Sequence, residues 1–276
     1  MKKVISLILV AVMLLTGVVA LSSCGEDTII VQTNAFFAPF EYYDGTEIVG
    51  VDVEIMNLVG EKLGKEVEFV DGDFAVIIDV VKEGKTADCG AAGLTITEER
   101  AEKVDFSVPY YTSVQYVIYK KDNAPAIKTA ADGTKYIVWV ALKGKKIGTQ
   151  TDTTGWIYTD AEVNAEGGVL YNTQTKCVAM DSAQIAVDAI GTQTDVVIID
   201  ELPAQYIVSK NSGYECAPLY YSGADGEADS AVEEQYAICV TKGNTELLNA
   251  INSVLNDLIK EDKINEMVMR HMGMDK

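Results

Sequence analysis

Hydrophobic and polar positions along the chain alternate between two periods. "TIIVQTN", Thr28 to Asn34, is a short apolar run of the kind that forms a buried strand. "VDVEIMNLVGEKLG" then places apolar residues at helical spacing and stops at Gly64. "EVEFV" returns to strand, "FAVIIDVVKEGK" to a short helix, and "DCGAAG" runs into "AAGLTITEER", where a strand gives way to a helix. After the β-rich "SVQYVIYKK" a second alternation begins at "KKIGTQ". It passes through a helix near Asp181 to Ile190 and reaches the buried strand "DVVIID". "EQYAICV" is a last strand, followed by the helical segment "TELLNAINSVLNDLIKEDKINEMVMRHM". Such alternation predicts an α/β protein with mostly parallel sheets. Two series of about one hundred residues each predict two lobes. No linker rich in Pro, Gly or Ser separates them, so extended strands are expected to join them. The acidic stretch "SGADGEADSAVEE" reads as solvated surface.

The N-terminus follows neither period. Lys2 and Lys3 precede an apolar run from Val4 to Leu21 that ends in "LSSC". A positive start, an apolar middle and small residues before a break make a secretory signal. The competing reading is an uncleaved membrane anchor, since the run is nearly long enough to span. "LSSC" resembles the bacterial lipobox, in which the cysteine thiol is lipidated, so Cys24 is the expected lipidation site and residues 1–24 the expected leader. Stable anchoring then requires more than one acyl chain.

Charge and rare residues narrow the chemistry. The 276-residue chain is 48% hydrophobic, enough for a substantial core, and carries a formal charge of −20. Its few basic clusters do not interleave with aromatics, so no nucleic-acid partner is expected. A single histidine, His271, and the absence of any C-x-x-C pair disfavour zinc sites, Ser-His-Asp triads and Cys-His dyads, and no metal or cofactor is expected. Cys89 and Cys239 sit in apolar runs and read as small buried hydrophobes. The pairing of Cys177 with Cys216 is open.

"AAGLTITEER" has two readings. Thr95 or Thr97 can cap the following helix, with Glu98 completing a capping box. The helix N-terminus and Arg100 can also bind a carboxylate. Other strand ends gather similar groups: the aromatic loop "AFFAPFEYYDG", Phe74 in "DGDFAVII", the hydroxyl-rich turn "TQTDTTGW", and Asp200 closing "DVVIID". An apolar strand ending in a carboxylate is often only a helix cap. Together, however, these positions can line one cleft.

"FFAPFEYYDGTEIVGVDVEI", "AAGLTITEERAEKVDFSVPYY", "IGTQTDTTG" and "DVVIIDELPA", in this order, resemble the extracellular solute-binding proteins of amino-acid ABC importers, family 3, over nearly all of the mature chain. The closest likeness is to the members that bind glutamine, histidine or basic amino acids. The resemblance implies a type II periplasmic-binding-protein-like fold with the ligand cleft between two lobes. Lobe 1 would comprise 25–119 and 237–276, and lobe 2 would comprise 120–236. It implies a monomer, tethered by lipid to the outer face of a cell membrane of Gram-positive type, that delivers a free amino acid to an ABC permease and its ATPase. By resemblance Arg100 holds the ligand's α-carboxylate, aided by Thr95, and Thr154 adds a contact from the second lobe. Gly93, with Ala92 beside it, offers backbone to the α-ammonium, and Asp200 is its counter-charge. Phe37 and Phe74 sandwich the side chain, and Asn34 and Gln150 select its end.

Asn34 where basic-side-chain binders commonly carry an acid implies a neutral polar ligand, glutamine first. The chain departs from the family at Asp152, which replaces a glycine before the paired threonines, and at Val108, which replaces an aspartate. A cyclohexadienyl dehydratase-like enzyme on the same fold is the runner-up, with Glu41 and Glu201 the nearest carboxylates to nominate. A ligand-sensing accessory protein is a third reading. No catalytic set is assembled, and a binding protein is expected rather than an enzyme.

Overall fold

In a computed structural model, which describes residues 28–223 and 229–274, two sheets carry the chain. The first has five strands in the order Glu66–Asp71, Thr28–Thr33, Cys89–Gly90, Cys239–Val240, Asp105–Phe106. Thr28–Thr33 pairs in parallel with both neighbours. The helix Val51–Leu63 supplies one crossover and ends on Gly64 in the left-handed region, as the sequence predicts. Its apolar stripe packs with Thr245–Lys260 and Lys263–His271 in a core built on Val31, Ile55, Met56, Ile251 and Leu255.

The second sheet centres on Tyr111–Lys120. Val196–Asp200 and Tyr214–Tyr221 flank that strand in antiparallel pairing. Beyond Val196–Asp200, the strands Lys146–Gln150 and Lys176–Met180 continue in parallel, with Thr154–Asn164 and Ala183–Asp188 packed against them. Apolar side chains on both faces form two further cores, one around Val117, Trp139, Ile147 and Ile198 and one around Ile118, Val187 and Val197.

The lobes are joined by extended chain, as expected. Tyr111–Lys120 pairs along its length in the second sheet, and Glu233–Tyr236 lies antiparallel on its first residues. By strand pairing the outward crossing therefore precedes Tyr111, rather than following residue 119. The return crossing follows Tyr236.

Two local expectations change. The aromatic loop after the first strand is a three-stranded sheet, Phe36–Phe37, Glu41–Asp44 and Glu47–Val49. Its Tyr-Tyr-Asp-Gly turn and alternating aromatics satisfy strand pairing in a stretch short enough to pass for a loop. Glu41 has no exposed surface in this sheet, so it is not the bland loop residue that its position suggests. "EQYAICV" breaks into two strands because each half pairs in a different lobe. Cys24 and the rest of the N-terminal segment lie outside the described residues. None of the described helices is long and apolar enough to cross a membrane.

Candidate functional site

The strand-to-helix turn at Leu94–Arg100 resolves its own ambiguity by dividing the two threonines. Thr97 is the helix cap, its hydroxyl accepting the Arg100 N–H at 3.1 Å. Thr95 is buried and bridges to Tyr236, which leaves its hydroxyl facing the space between the lobes. The same division recurs in the second lobe. Thr153 caps the helix Thr154–Asn164, accepting from the Trp156 N–H at 3.3 Å, while the Thr154 hydroxyl points inward. Asp200 stands at the N-cap position of Glu201–Lys210 but makes no capping bond, so its carboxylate is also free for the cleft.

Asn34, Phe37, Phe74, Gly93, Thr95, Gln150, Thr153, Thr154 and Asp200 line one narrow cavity between the lobes, about 20 Å³ in volume. Of the ten ligand-binding positions expected from the sequence, eight lie here. Arg100 borders the adjoining opening, its guanidinium 5.4 Å from the centre of the Phe74 ring. Ala92 does not line the cleft: its methyl is 1% exposed and packs with Ile77, Val81 and Leu94. Several hydrogen bonds join the lobes here. Gln150 Nε2 donates to Asn34 Oδ1 at 3.0 Å, the Thr95 and Thr154 hydroxyls lie 3.5 Å apart, and an Arg100 N–H donates to the Asp152 carbonyl at 2.8 Å. These contacts close the cleft to little more than the volume of one water molecule.

Asp152 is compatible with this arrangement. Its φ of 60° is the left-handed conformation for which a glycine would be the ordinary choice, which accounts for the family's glycine there. Its side chain is exposed, and only its carbonyl meets Arg100. Gly93 has φ 53°, and a Cβ there would stand 2.6 Å from the Phe37 ring. The aromatic therefore lies directly on the backbone of the turn, a close approach only glycine permits. The Gly93 N–H is held at 2.9 Å by the buried carboxylate of Asp52, whose other oxygen takes the Tyr110 hydroxyl.

The electrostatics of the cavity are unusual. Arg100 is 7% exposed, and burial pulls its guanidinium below the usual arginine range. Its cleft-side donors meet two backbone carbonyls, those of Thr95 and Asp152. Among the described residues it forms no salt bridge within 4.0 Å. Asp200 is 5% exposed and likewise has no cationic partner there; the Tyr236 hydroxyl donates to it at 2.5 Å. Burial raises its carboxyl above the ordinary value, against the opposing effect of its hydrogen bonds. A buried cation without a counter-charge beside the cavity and a buried anion without one in it are each costly by themselves. A molecule carrying both charges relieves both.

Sequence reasoning missed a second layer. Glu234, the last residue of the stretch read as solvated, is 3% exposed. Its Oε2 accepts the Thr95 hydroxyl at 2.6 Å and the Thr154 hydroxyl at 2.7 Å, and its Oε1 accepts Gln115 Nε2 at 2.7 Å. Exposed and buried positions alternate along Glu233–Tyr236, but the sequence Glu-Glu-Gln-Tyr carries no matching alternation of polar and apolar residues that would signal it. Glu41, nominated from the sequence for the enzyme reading, is fully buried. Neither of its oxygens has a hydrogen-bond partner, and burial together with the charges of Asp52 and Asp200 pushes its carboxyl well above the usual range. Cys177 and Cys216 are free thiols, as are Cys89 and Cys239. No metal-holding cluster of three His, Cys, Asp or Glu occurs among the described residues.

The family model for bacterial extracellular solute-binding proteins, family 3, matches residues 29–274. The arginine-binding extracellular protein ArtP of Bacillus subtilis (strain 168) is 28% identical over 248 residues, spanning 89% of this chain and 86% of the relative. An ancestral arginine-binding protein bound to arginine superimposes with a TM-score of 0.73 at 30% identity, over 89% of this chain and 98% of the other. An ancestral arginine-binding protein bound to glutamine gives 0.71 at 32% identity, over 90% and 98%. With the match running through both lobes and every cleft-lining residue, the chain belongs to the bacterial extracellular solute-binding proteins, family 3.

Proposed function

We propose that the protein captures a free amino acid between its lobes and hands it to an ABC permease. The observation that carries this reading is the pair of unmatched buried charges, Asp200 lining the cavity and Arg100 at the opening that adjoins it. Arg100 takes the α-carboxylate, with Thr95 and Thr154 as hydroxyl donors from the two lobes. Asp200 takes the α-ammonium, with the backbone of Gly93 beside it. Phe37 and Phe74 flank the side chain, and Asn34 and Gln150 meet its end. Because the contacts come from lobe 1 (25–110 and 237–276) and from lobe 2 (111–236), ligand stabilises the closed arrangement over the open one. The permease then reads closure.

The ligand we propose is a neutral polar amino acid, glutamine first. Asn34 and Gln150 already hydrogen-bond each other, and a terminal amide can replace either partner with matched donors and acceptors. Arginine is the second reading. Asp73 and Asp181 line an opening beside Phe74 and Gln150, where a guanidinium could emerge from the cleft. Direct competition among glutamine, arginine and glutamate on the wild-type protein tests the choice, with glutamine expected to bind tightest. Arginine binding tightest would replace the amide reading with the Asp73 and Asp181 one. In Asn34→Asp, the added charge should shift preference towards arginine.

The anchor is proposed on "LSSC" alone. Cys24→Ala should release the protein from membranes and leave its affinity in solution unchanged. Membrane partition that persists without acyl mass would make the apolar run a true membrane span.

A further inference from the structure

The cleft shares its walls with a second and larger space. Segment 34–37 divides its residues between the two: Asn34 and Phe37 line the cleft, while Ala35 and Phe36 line a separate cavity. In the second lobe Asp200 lines the cleft, and Pro203, Tyr206, Ile207 and Lys210 of the helix that follows it line the cavity. Those four stand at positions i, i+3, i+4 and i+7, on one face of the helix. The cavity has a volume of about 370 Å³, against about 20 Å³ for the cleft, and falls in the range of small-molecule sites.

Its lobe 1 wall is aromatic and held from behind. The Tyr42 hydroxyl lies 3.0 Å from His271 Nδ1, and the other ring nitrogen of that histidine meets Glu54 at 2.6 Å. Tyr43 donates to Asp71 at 3.2 Å, and the same carboxylate accepts the Ala35 N–H at 2.9 Å. The Phe36 ring meets that of Tyr43 edge to face, with centroids 6.1 Å apart. From lobe 2 the Tyr206 ring comes to 6.0 Å from the Tyr42 ring, centre to centre. Phe36 is nevertheless 59% exposed and Tyr43 43%. Rings whose hydroxyls are tied down and whose apolar surface is left open form a preorganised wall for another flat ring.

The charge of the lining points to one kind of ligand. Lys210 is its only charged side chain. The Lys210 ammonium rests 5.0 Å from the centre of the Tyr206 ring and makes no salt bridge within 4.0 Å among the described residues. In a chain of formal charge −20, a cation without an acidic partner beside an aromatic cavity is complementary to an anion. A cationic ring would meet repulsion from the ammonium, and a neutral one would leave it unpaired.

We propose that this cavity is a second ligand site, which takes a small aromatic carboxylate between the aromatic wall of lobe 1 and the Tyr206–Lys210 face of lobe 2, and that its occupation favours closure of the cleft. The site is argued from the cavity alone; its coupling to capture rests on the amino-acid reading above. A ligand that touches both lobes stabilises the arrangement that brings them together. The amino acid closes the same two lobes, and segment 34–37 is a wall of both spaces, so each ligand should raise the affinity of the other by the same factor.

The test is ligand-observed NMR of phenylacetate on the wild-type protein, with phenethylamine as the cationic counterpart. Both are repeated with the amino acid that stabilises the protein most in a thermal-shift panel. Phenylacetate is expected to bind at about millimolar concentration or tighter, and about threefold or more tighter than phenethylamine. Saturating amino acid should strengthen it about fivefold or more, with an equal gain in amino-acid affinity by calorimetry when phenylacetate is present. Lys210→Met and Phe36→Ala alter exposed side chains outside the cleft. Each should weaken phenylacetate about threefold or more and leave amino-acid affinity, measured alone, within about twofold. Displacement of phenylacetate by the amino acid overturns the proposal, since the two would then share the cleft. Tighter binding of phenethylamine, binding unchanged in both variants, or no phenylacetate binding at about 10 mM overturns it as well. Simultaneous binding without mutual strengthening overturns the coupling to closure. If no amino acid binds, the amino-acid reading has failed, while the phenylacetate titrations of wild type and variants still decide the site.

Discussion

Asp200→Ala is expected to lower affinity for the amino acid by roughly two to three and a half orders of magnitude. The ligand's ammonium would be left buried without its counter-charge, at a cost of roughly 3–5 kcal/mol, and each 1.4 kcal/mol is about tenfold. The Tyr236 hydroxyl, which donates to Asp200, also loses its acceptor, but it cannot replace a negative charge. Arg100→Ala should cost a similar amount at the carboxylate end. Thr97→Ala is the control, because Thr97 caps the helix and does not line the cavity. It should change stability by about 1 kcal/mol and affinity little. Titration calorimetry distinguishes these outcomes, and near-native affinity in either charge variant would remove that residue from the site.

The largest stability effect is expected at a position that touches no ligand. Gly50 precedes the helix Val51–Leu63 with φ 138° and ψ −180°, a region open essentially to glycine. A Cβ there would lie 2.0 Å from the Phe40 carbonyl oxygen and 2.5 Å from its carbon. Backbone cannot move aside as a side-chain tip can. Strain and overlap together should cost Gly50→Ala at least about 3 kcal/mol, which in a chain of this size lowers the melting temperature by roughly 6–12 °C. Gly45→Ala is the comparison: φ is 64°, but nothing lies within 4 Å of the added carbon, so the cost should be about 1 kcal/mol. Equal melting temperatures for the two variants would contradict this account of the turn. The Phe40 ring packs on that of Phe37, with centroids 6.0 Å apart, so ligand binding by folded Gly50→Ala should weaken as well.

The sequence made the helices and buried strands legible where one period ran undisturbed. Val51–Leu63 with its terminal glycine and Val196–Asp200 with its terminal acid are examples. At the cleft, small, hydroxyl-bearing and charged residues cluster at strand ends, but local chemistry left helix cap and anion site both open there, and the site residues came from the family resemblance of the ordered motifs. What local pattern could not supply was which of two adjacent threonines caps a helix and which faces the cleft. That choice depends on how the helix N-terminus meets the other lobe. Glu234 was out of reach for the same cause. Its burial is set by Thr95, Thr154 and Gln115, residues 139, 80 and 119 positions away. Ala92 follows the core instead: its methyl packs with Ile77 and Leu94, whatever its neighbour Gly93 faces.

The central claim is that one buried cavity recognises both charged ends of an amino acid. It is tested most directly by titrating the wild-type protein with its best amino acid, the α-amide of that amino acid, and the N-acetyl derivative. The account predicts that each blocked form binds at least roughly a hundredfold more weakly, because each leaves Arg100 or Asp200 buried and unpaired. A blocked form that binds within tenfold of the parent would contradict it.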